Sequence, residues 1–92
     1  MKVQKLDRRH AGITAFDYYV TPAEKNLWED PITMHHWRIW CWENIGPGAE
    51  RGVAVRLYMN NKPLGWAWDT EHGHCRLYLT KENLVFFKLK WA

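Results

Sequence analysis

The chain has 92 residues, with 13 Lys and Arg against 10 Asp and Glu and a formal charge of +3 when histidines are neutral. This length fits one small domain (1–92), and a basic excess so mild does not by itself imply a polyanionic partner. No stretch reaches the ~18 apolar residues of a membrane span, and Met1–His10 is charged without an apolar run, so neither a transmembrane segment nor a secretory leader is expected. A cytoplasmic protein is the expectation. Its two cysteines, Cys41 and Cys75, are expected as buried thiols. A disulfide between neighbouring strands is the alternative, and it needs an oxidising compartment. Seven tryptophans are more than one small core easily encloses, since each buries on the order of 150–250 Å². Some are therefore expected at the surface.

Met1–Gly12 carries Lys2, Lys5, Arg8 and Arg9 and reads as a flexible basic arm or a short edge strand. Ile13–Val20 is rich in β-formers and reads as the first strand. Thr21-Pro22-Ala23-Glu24 has the residues of a capped helix start: a capping threonine, proline at the first helical position and a glutamate closing the box. The helix is expected to end near Glu29, before Pro31. Ile32–Glu43 is the longest strand candidate, and Asn44–Gly48 breaks regular structure. Gly52–Met59 reads as a strand, Asn60–Pro63 as a turn, and Leu64–Trp68 as the returning strand of a hairpin. Glu71–His74 is a second turn. Cys75–Thr80 and Leu84–Trp91 flank Lys81-Glu82-Asn83 as a second hairpin. The expected fold is mainly β (α+β): a single small antiparallel sheet or barrel of five to six strands, with one short helix between the first two strands.

At the strand period of two, one face collects Trp37, Ile39, Cys41, Val53, Val55, Leu57, Cys75, Leu77, Leu79, Val85, Phe87, Leu89 and Trp91, which reads as a core. The other collects Arg38, Trp40, Trp42, Arg56, Tyr58, Arg76, Tyr78, Lys88 and Lys90. The acids fall mostly in connections, so positive potential concentrates on the sheet. Arginine grips phosphate bidentately, and tyrosine and tryptophan offer flat surfaces on which unpaired bases stack at ~1–3 kcal/mol each. The leading expectation is therefore a non-enzymatic module. Arg38, Arg56 and Arg76 would contact the phosphates of an anionic ligand, most of all single-stranded nucleic acid. Trp40, Tyr58 and Tyr78 would stack, Lys88 and Lys90 would add potential, and Trp42 completes the candidate ligand-binding set. A plain solvated face is the bland alternative.

The rival expectation is a protein-binding module. Exposed tryptophans are favoured at interaction hot spots, and Trp40 and Trp42 would mark the contact unless the helix covers them beside Leu27 and Trp28. Size and composition resemble the accessory or inhibitor proteins of phages and mobile elements. A homodimer formed by edge-strand pairing, or by burial of Trp40 and Trp42, belongs to the same class.

Catalytic and cofactor chemistry have little support. The sequence contains no serine, both cysteines read as core, and no strand pairs two carboxylates. Asp17 and Asp69 are the only acids near strand interiors. His36, His72, His74 and Cys75 are a conceivable zinc set, but their spacing matches no standard pattern and adjacent residues cannot easily share one ion. No enzyme activity, metal or cofactor is expected.

Overall fold

The structure is a computed structural model that describes residues 2–6, 16–22, 30–70 and 75–91. In chain order the elements are β1 (Lys2–Lys5), β2 (Tyr18–Thr21), α1 (Asp30–Asn44), β3 (Ala49–Glu50), α2 (Arg51–Met59), β4 (Trp66–Asp69), β5 (Arg76–Leu79) and α3 (Lys81–Trp91). They build a small α+β domain around an open five-stranded sheet in the order β1-β2-β5-β4-β3. All pairs are antiparallel except β3 with β4, which is parallel. No helix among the described residues is long and apolar enough to cross a membrane.

The sheet buries both faces, each in its own way. One face carries Val3, Val20, Leu77 and Trp68 in one row and Tyr18, Leu79 and Trp66 in the next, by the register. Against it pack Met34, Trp37 and Cys41 of α1 and Leu84 and Phe87 of α3. The Trp37 and Phe87 rings meet edge to face at 5.2 Å between centroids. The opposite face carries Gln4, Tyr19, Tyr78 and Ala67 in one continuous row. There Phe16, Ala54 of α2, Ala67 and Tyr78 make a smaller cluster. Small residues at 54 and 67 let α2 approach the backbone of β4 closely.

Three of the six stretches expected as strands are helices. Ile32–Glu43 lies in α1, Gly52–Met59 in α2 and Leu84–Trp91 in α3. Their buried residues follow the helical spacing: Met34, Trp37 and Cys41 in α1, and Leu84 and Phe87 in α3, with half-buried Trp91 one turn on. The strand period had assigned Ile39, Val85 and Leu89 to the core, but they are 44%, 58% and 81% exposed. Cys75–Thr80 contains β5 as expected, and Leu64–Trp68 overlaps β4. The short helix expected between the first two strands is not matched, because the described helices all follow β2. Residues 23–29, where it was placed, lie outside the described residues. Pro31 does not end a helix. It sits in the first turn of α1, where its missing N–H costs nothing. Lys2–Lys5, from the segment read as an arm or an edge strand, pair with β2 as the edge strand.

The helix ends show why these segments fold as they do. The Glu50 carboxylate accepts from Gly52 N at 3.1 Å and caps α2. Asn61, with φ of 60°, closes the other end while Lys62 N donates to Leu57 O. So Asn60–Pro63 does break the chain, but it ends a helix rather than linking two strands. Thr80 Oγ1 accepts from Asn83 N at 3.3 Å, and Asp17 Oδ2 accepts from Lys81 N at 2.9 Å. Both satisfy the first turn of α3. Asp17 thus has a structural role far from its place in sequence.

Candidate functional site

An open groove of about 280 Å³ runs between α1 and β4, lined by His35, Arg38, Ile39, Trp42, Trp66 and Trp68. Both walls follow from local periodicity. His35, Arg38, Ile39 and Trp42 recur every three or four residues and form one flank of α1. Trp66 and Trp68 are two apart on β4 and share a sheet face. Their rings lie 5.3 Å apart, tilted by 37°. The Trp66 indole N–H donates to Gly46 O at 2.7 Å, which ties the groove floor to the loop after α1.

Trp66 is fully buried, whereas Trp42 is 58% exposed at the rim. Arg38 lies across Trp68, its guanidinium carbon 5.3 Å from the ring centroid. Arg38 Nε is buried and has no hydrogen-bond partner among the described residues. Cation–π stacking of this kind contributes about 0.5–2 kcal/mol. An unmade hydrogen bond at a buried donor costs about 1–3 kcal/mol. The two terms are of similar size and nearly offset each other, so the stack gives little net stability as a reason for an arginine held here. Among the described residues, the ionisable lining groups are Arg38 and His35, with no acid.

The nine residues expected on one basic, aromatic sheet face do not share a face. Arg38 and Trp42 meet in the groove, and Arg76 and Tyr78 lie together on the opposite sheet face. Trp40 turns toward α3, its ring 5.1 Å from Phe86 and 5.7 Å from Phe87, and is half-buried there. Its role is packing, and Leu27 and Trp28 lie outside the described residues. Arg56 and Tyr58 are exposed on α2. Arg56 falls in the last turn, where a cation suits the helix dipole. Lys88 and Lys90 occupy the corresponding place on α3, and Lys90 lies over Trp91. Arg76 covers the Tyr19 ring at 4.7 Å on the other sheet face. Tyr78, expected to stack on a ligand, is wholly buried. Burial pushes its hydroxyl pKa up, while the Arg76 guanidinium pulls it back. The single sheet face fails because Arg38, Trp40 and Trp42 lie on α1, Arg56 and Tyr58 on α2, and Lys88 and Lys90 on α3, where alternation in sequence does not place residues side by side.

Neither cysteine is in a disulfide. Cys41 is buried, as expected, and its pKa is pushed from 9.0 to about 12 by desolvation. Cys75 is half-buried. His72 and His74 lie outside the described residues, and no group of three or more His, Cys, Asp or Glu among the described residues is placed to hold a metal ion.

No family model, curated protein or solved structure matches this chain. Function therefore has to be argued from the groove itself. Sequence reasoning found two of its members, Arg38 and Trp42. It missed Trp66 and Trp68, although the Trp-Ala-Trp alternation of Trp66–Trp68 places two indoles on one side of a strand. It also missed His35 and Ile39, whose spacing from Trp42 is visible only at the helical period.

Proposed function

We propose that this chain is a non-enzymatic protein-binding module, and that its groove takes a partner segment with an acidic side chain beside a large apolar one. The observation that carries this is Arg38, stacked on Trp68 with a buried, unpartnered Nε, in a groove otherwise walled by Ile39, Trp42 and Trp66. A carboxylate on the guanidinium makes a charge-assisted hydrogen bond, the strong kind. An aromatic or branched apolar side chain fills the space against Trp42 and Trp68, as hot-spot anchors do. A volume of about 280 Å³ sits just below the ~300–1,000 Å³ range of small-molecule sites. It suits one or two anchoring side chains better than a cofactor.

The anionic-ligand reading, with single-stranded nucleic acid as the main candidate, loses its platform once Arg38, Arg56, Arg76, Lys88 and Lys90 are spread over three helices and a strand. Tyr78, one of the rings expected to stack, is buried. What remains for a phosphate backbone is exposed cations, and these give salt-sensitive, generic attraction.

A random-peptide library selected in parallel on the wild type and on Trp42→Ala tests the proposal. Ligands enriched on the wild type alone, each pairing Asp or Glu with Trp, Phe, Leu or Ile, are expected. Equal enrichment on both proteins would refute it. So would a labelled single-stranded oligonucleotide that binds the wild type at physiological salt while no peptide does. A second copy of the chain in the groove would appear as a concentration-dependent dimer lost in Trp42→Ala.

A further inference from the structure

We infer that Arg51, Arg76 and Tyr78, on the sheet face opposite the groove, form a second site that binds a small oxyanion, a phosphate or a carboxylate group. The site is independent of the groove and of the proposed function.

Its frame is fixed by the register. Asp69 of β4 pairs with Arg76 of β5, and two residues on along β5, on the same face, lies Tyr78. Arg51 opens α2 immediately after β3 and brings its Nε to 3.7 Å from Asp69 Oδ2. Asp69 is 4% exposed and Tyr78 is fully buried. The register and the Arg51–Asp69 pair bring the four groups together, and Arg76, Asp69 and Arg51 all bear on the Tyr78 hydroxyl, Arg76 also as a hydrogen-bond donor.

The cluster is unbalanced in charge and in hydrogen bonds. Among the described residues it holds two guanidinium groups against one carboxylate. Arg51 Nε is buried with no hydrogen-bond partner among the described residues, and Tyr78 Oη has none within ordinary hydrogen-bond distance. The Arg76 guanidinium beside the hydroxyl can only donate to it, so the hydroxyl proton still lacks an acceptor. Native structures leave very few buried polar atoms unsatisfied, and two in one cluster call for a cause. At 3.7 Å the Arg51–Asp69 contact is an ion pair but too long for a hydrogen bond. Asp69 therefore holds the arginine in place without satisfying it. An oxyanion meets both needs, because it neutralises the excess positive charge and accepts from the hydroxyl and from Nε. The Arg76 stack on Tyr19 fixes the second guanidinium beside it.

The test uses the full chain with sodium phosphate and sodium acetate as probes, at constant ionic strength made up with chloride. The thermal midpoint and the arginine Nε–H resonances are followed in the wild type, Tyr78→Phe and Arg51→Gln. A saturable rise in midpoint is expected with at least one anion, together with a shift of the Arg51 Nε–H resonance. The anion that gives it identifies the ligand class. Tyr78→Phe removes an unsatisfied hydroxyl, so in chloride it should be as stable as the wild type or more so. It should bind the anion about tenfold more weakly, and Arg51→Gln should bind it more weakly still. No saturable response to either anion would overturn the inference. An equal response in all three proteins would also overturn it, by placing the anion elsewhere, on exposed lysines such as Lys88 and Lys90.

Discussion

The guanidinium of Arg38 rests on the indole of Trp68, 5.3 Å from its centroid, and this one contact joins the helix wall of the groove to its sheet wall. Arg38 belongs to α1 and Trp68 to β4, so the shape of the groove depends on how the helix sits on the sheet. A planar, rigid fork is needed both for the stack and for a bidentate carboxylate. Lysine supplies neither.

Arg38→Lys should therefore behave nearly like Arg38→Ala toward a selected peptide. Both should weaken binding by about tenfold or more, the worth of one charge-assisted hydrogen bond. Their unfolding midpoints in urea should stay close to the wild type, because the stack and the buried orphan donor nearly offset each other. Calorimetric titration with the peptide reads the first effect. A lysine variant that binds as tightly as the wild type would show that only positive charge is required.

The helical assignment of the last segment separates two neighbouring apolar residues. Phe87→Ala should destabilise by about 3–5 kcal/mol, the usual cost of emptying a buried aromatic position. Leu89→Ala should change stability by no more than about 0.5 kcal/mol, because it truncates a surface side chain. In a strand both would be core and both changes would be severe. Urea denaturation of the two variants decides it.

Gly48 lies against the Trp66 ring, and a Cβ placed there would overlap the indole carbons. Trp66 cannot easily retreat, being fully buried and hydrogen-bonded to Gly46 O. Gly48→Ala should cost about 1–3 kcal/mol as an overpacked contact, and peptide binding should weaken along with stability because Trp66 forms the groove floor. Denaturation and peptide titration on the same sample check both.

Alkaline pH should destabilise the fold through Cys41. Its thiol holds its proton to about 12 when folded, against 9.0 unfolded. Above pH 9 the unfolded chain loses a proton that the folded chain keeps, so stability falls as pH rises. The slope from this one group is up to about 1.4 kcal/mol per pH unit. The raised Tyr78 pKa acts in the same direction at higher pH. Urea midpoints from pH 8 to 10.5 should decline in the wild type and decline less steeply in Cys41→Ala. The same burial predicts that Cys41 reacts with a thiol reagent only as the protein unfolds.

What the sequence revealed was its punctuation. Asn44–Gly48 and Asn60–Pro63 do break the chain, and Cys75–Thr80 does hold a strand. The helices were hidden because their exposed sides are also apolar. In α1, Trp37, Ile39 and Cys41 satisfy the strand period while Met34, Trp37 and Cys41 satisfy the helical one. Only the exposure of Ile39 decides between them. Val85 and Leu89 disguise α3 in the same way. A short chain rich in aromatics spends large residues on its surface, and period then carries little information. The groove was half legible for the same reason. Arg38 and Trp42 stood out by residue type, but their partners Trp66 and Trp68 come from a strand that only the tertiary fold brings opposite α1.

The most direct measurement is a ¹⁵N spectrum of the seven tryptophan indole N–H groups, recorded while a selected acidic–apolar peptide is titrated in. The groove predicts saturable shifts at Trp42 and Trp68, smaller ones at Trp66, and none at Trp37 or Trp91, with all of them weakened in Arg38→Ala. Shifts confined to Trp91 and to amides near Lys88 and Lys90, unchanged by Arg38→Ala, would contradict the account and return the function to the exposed cations.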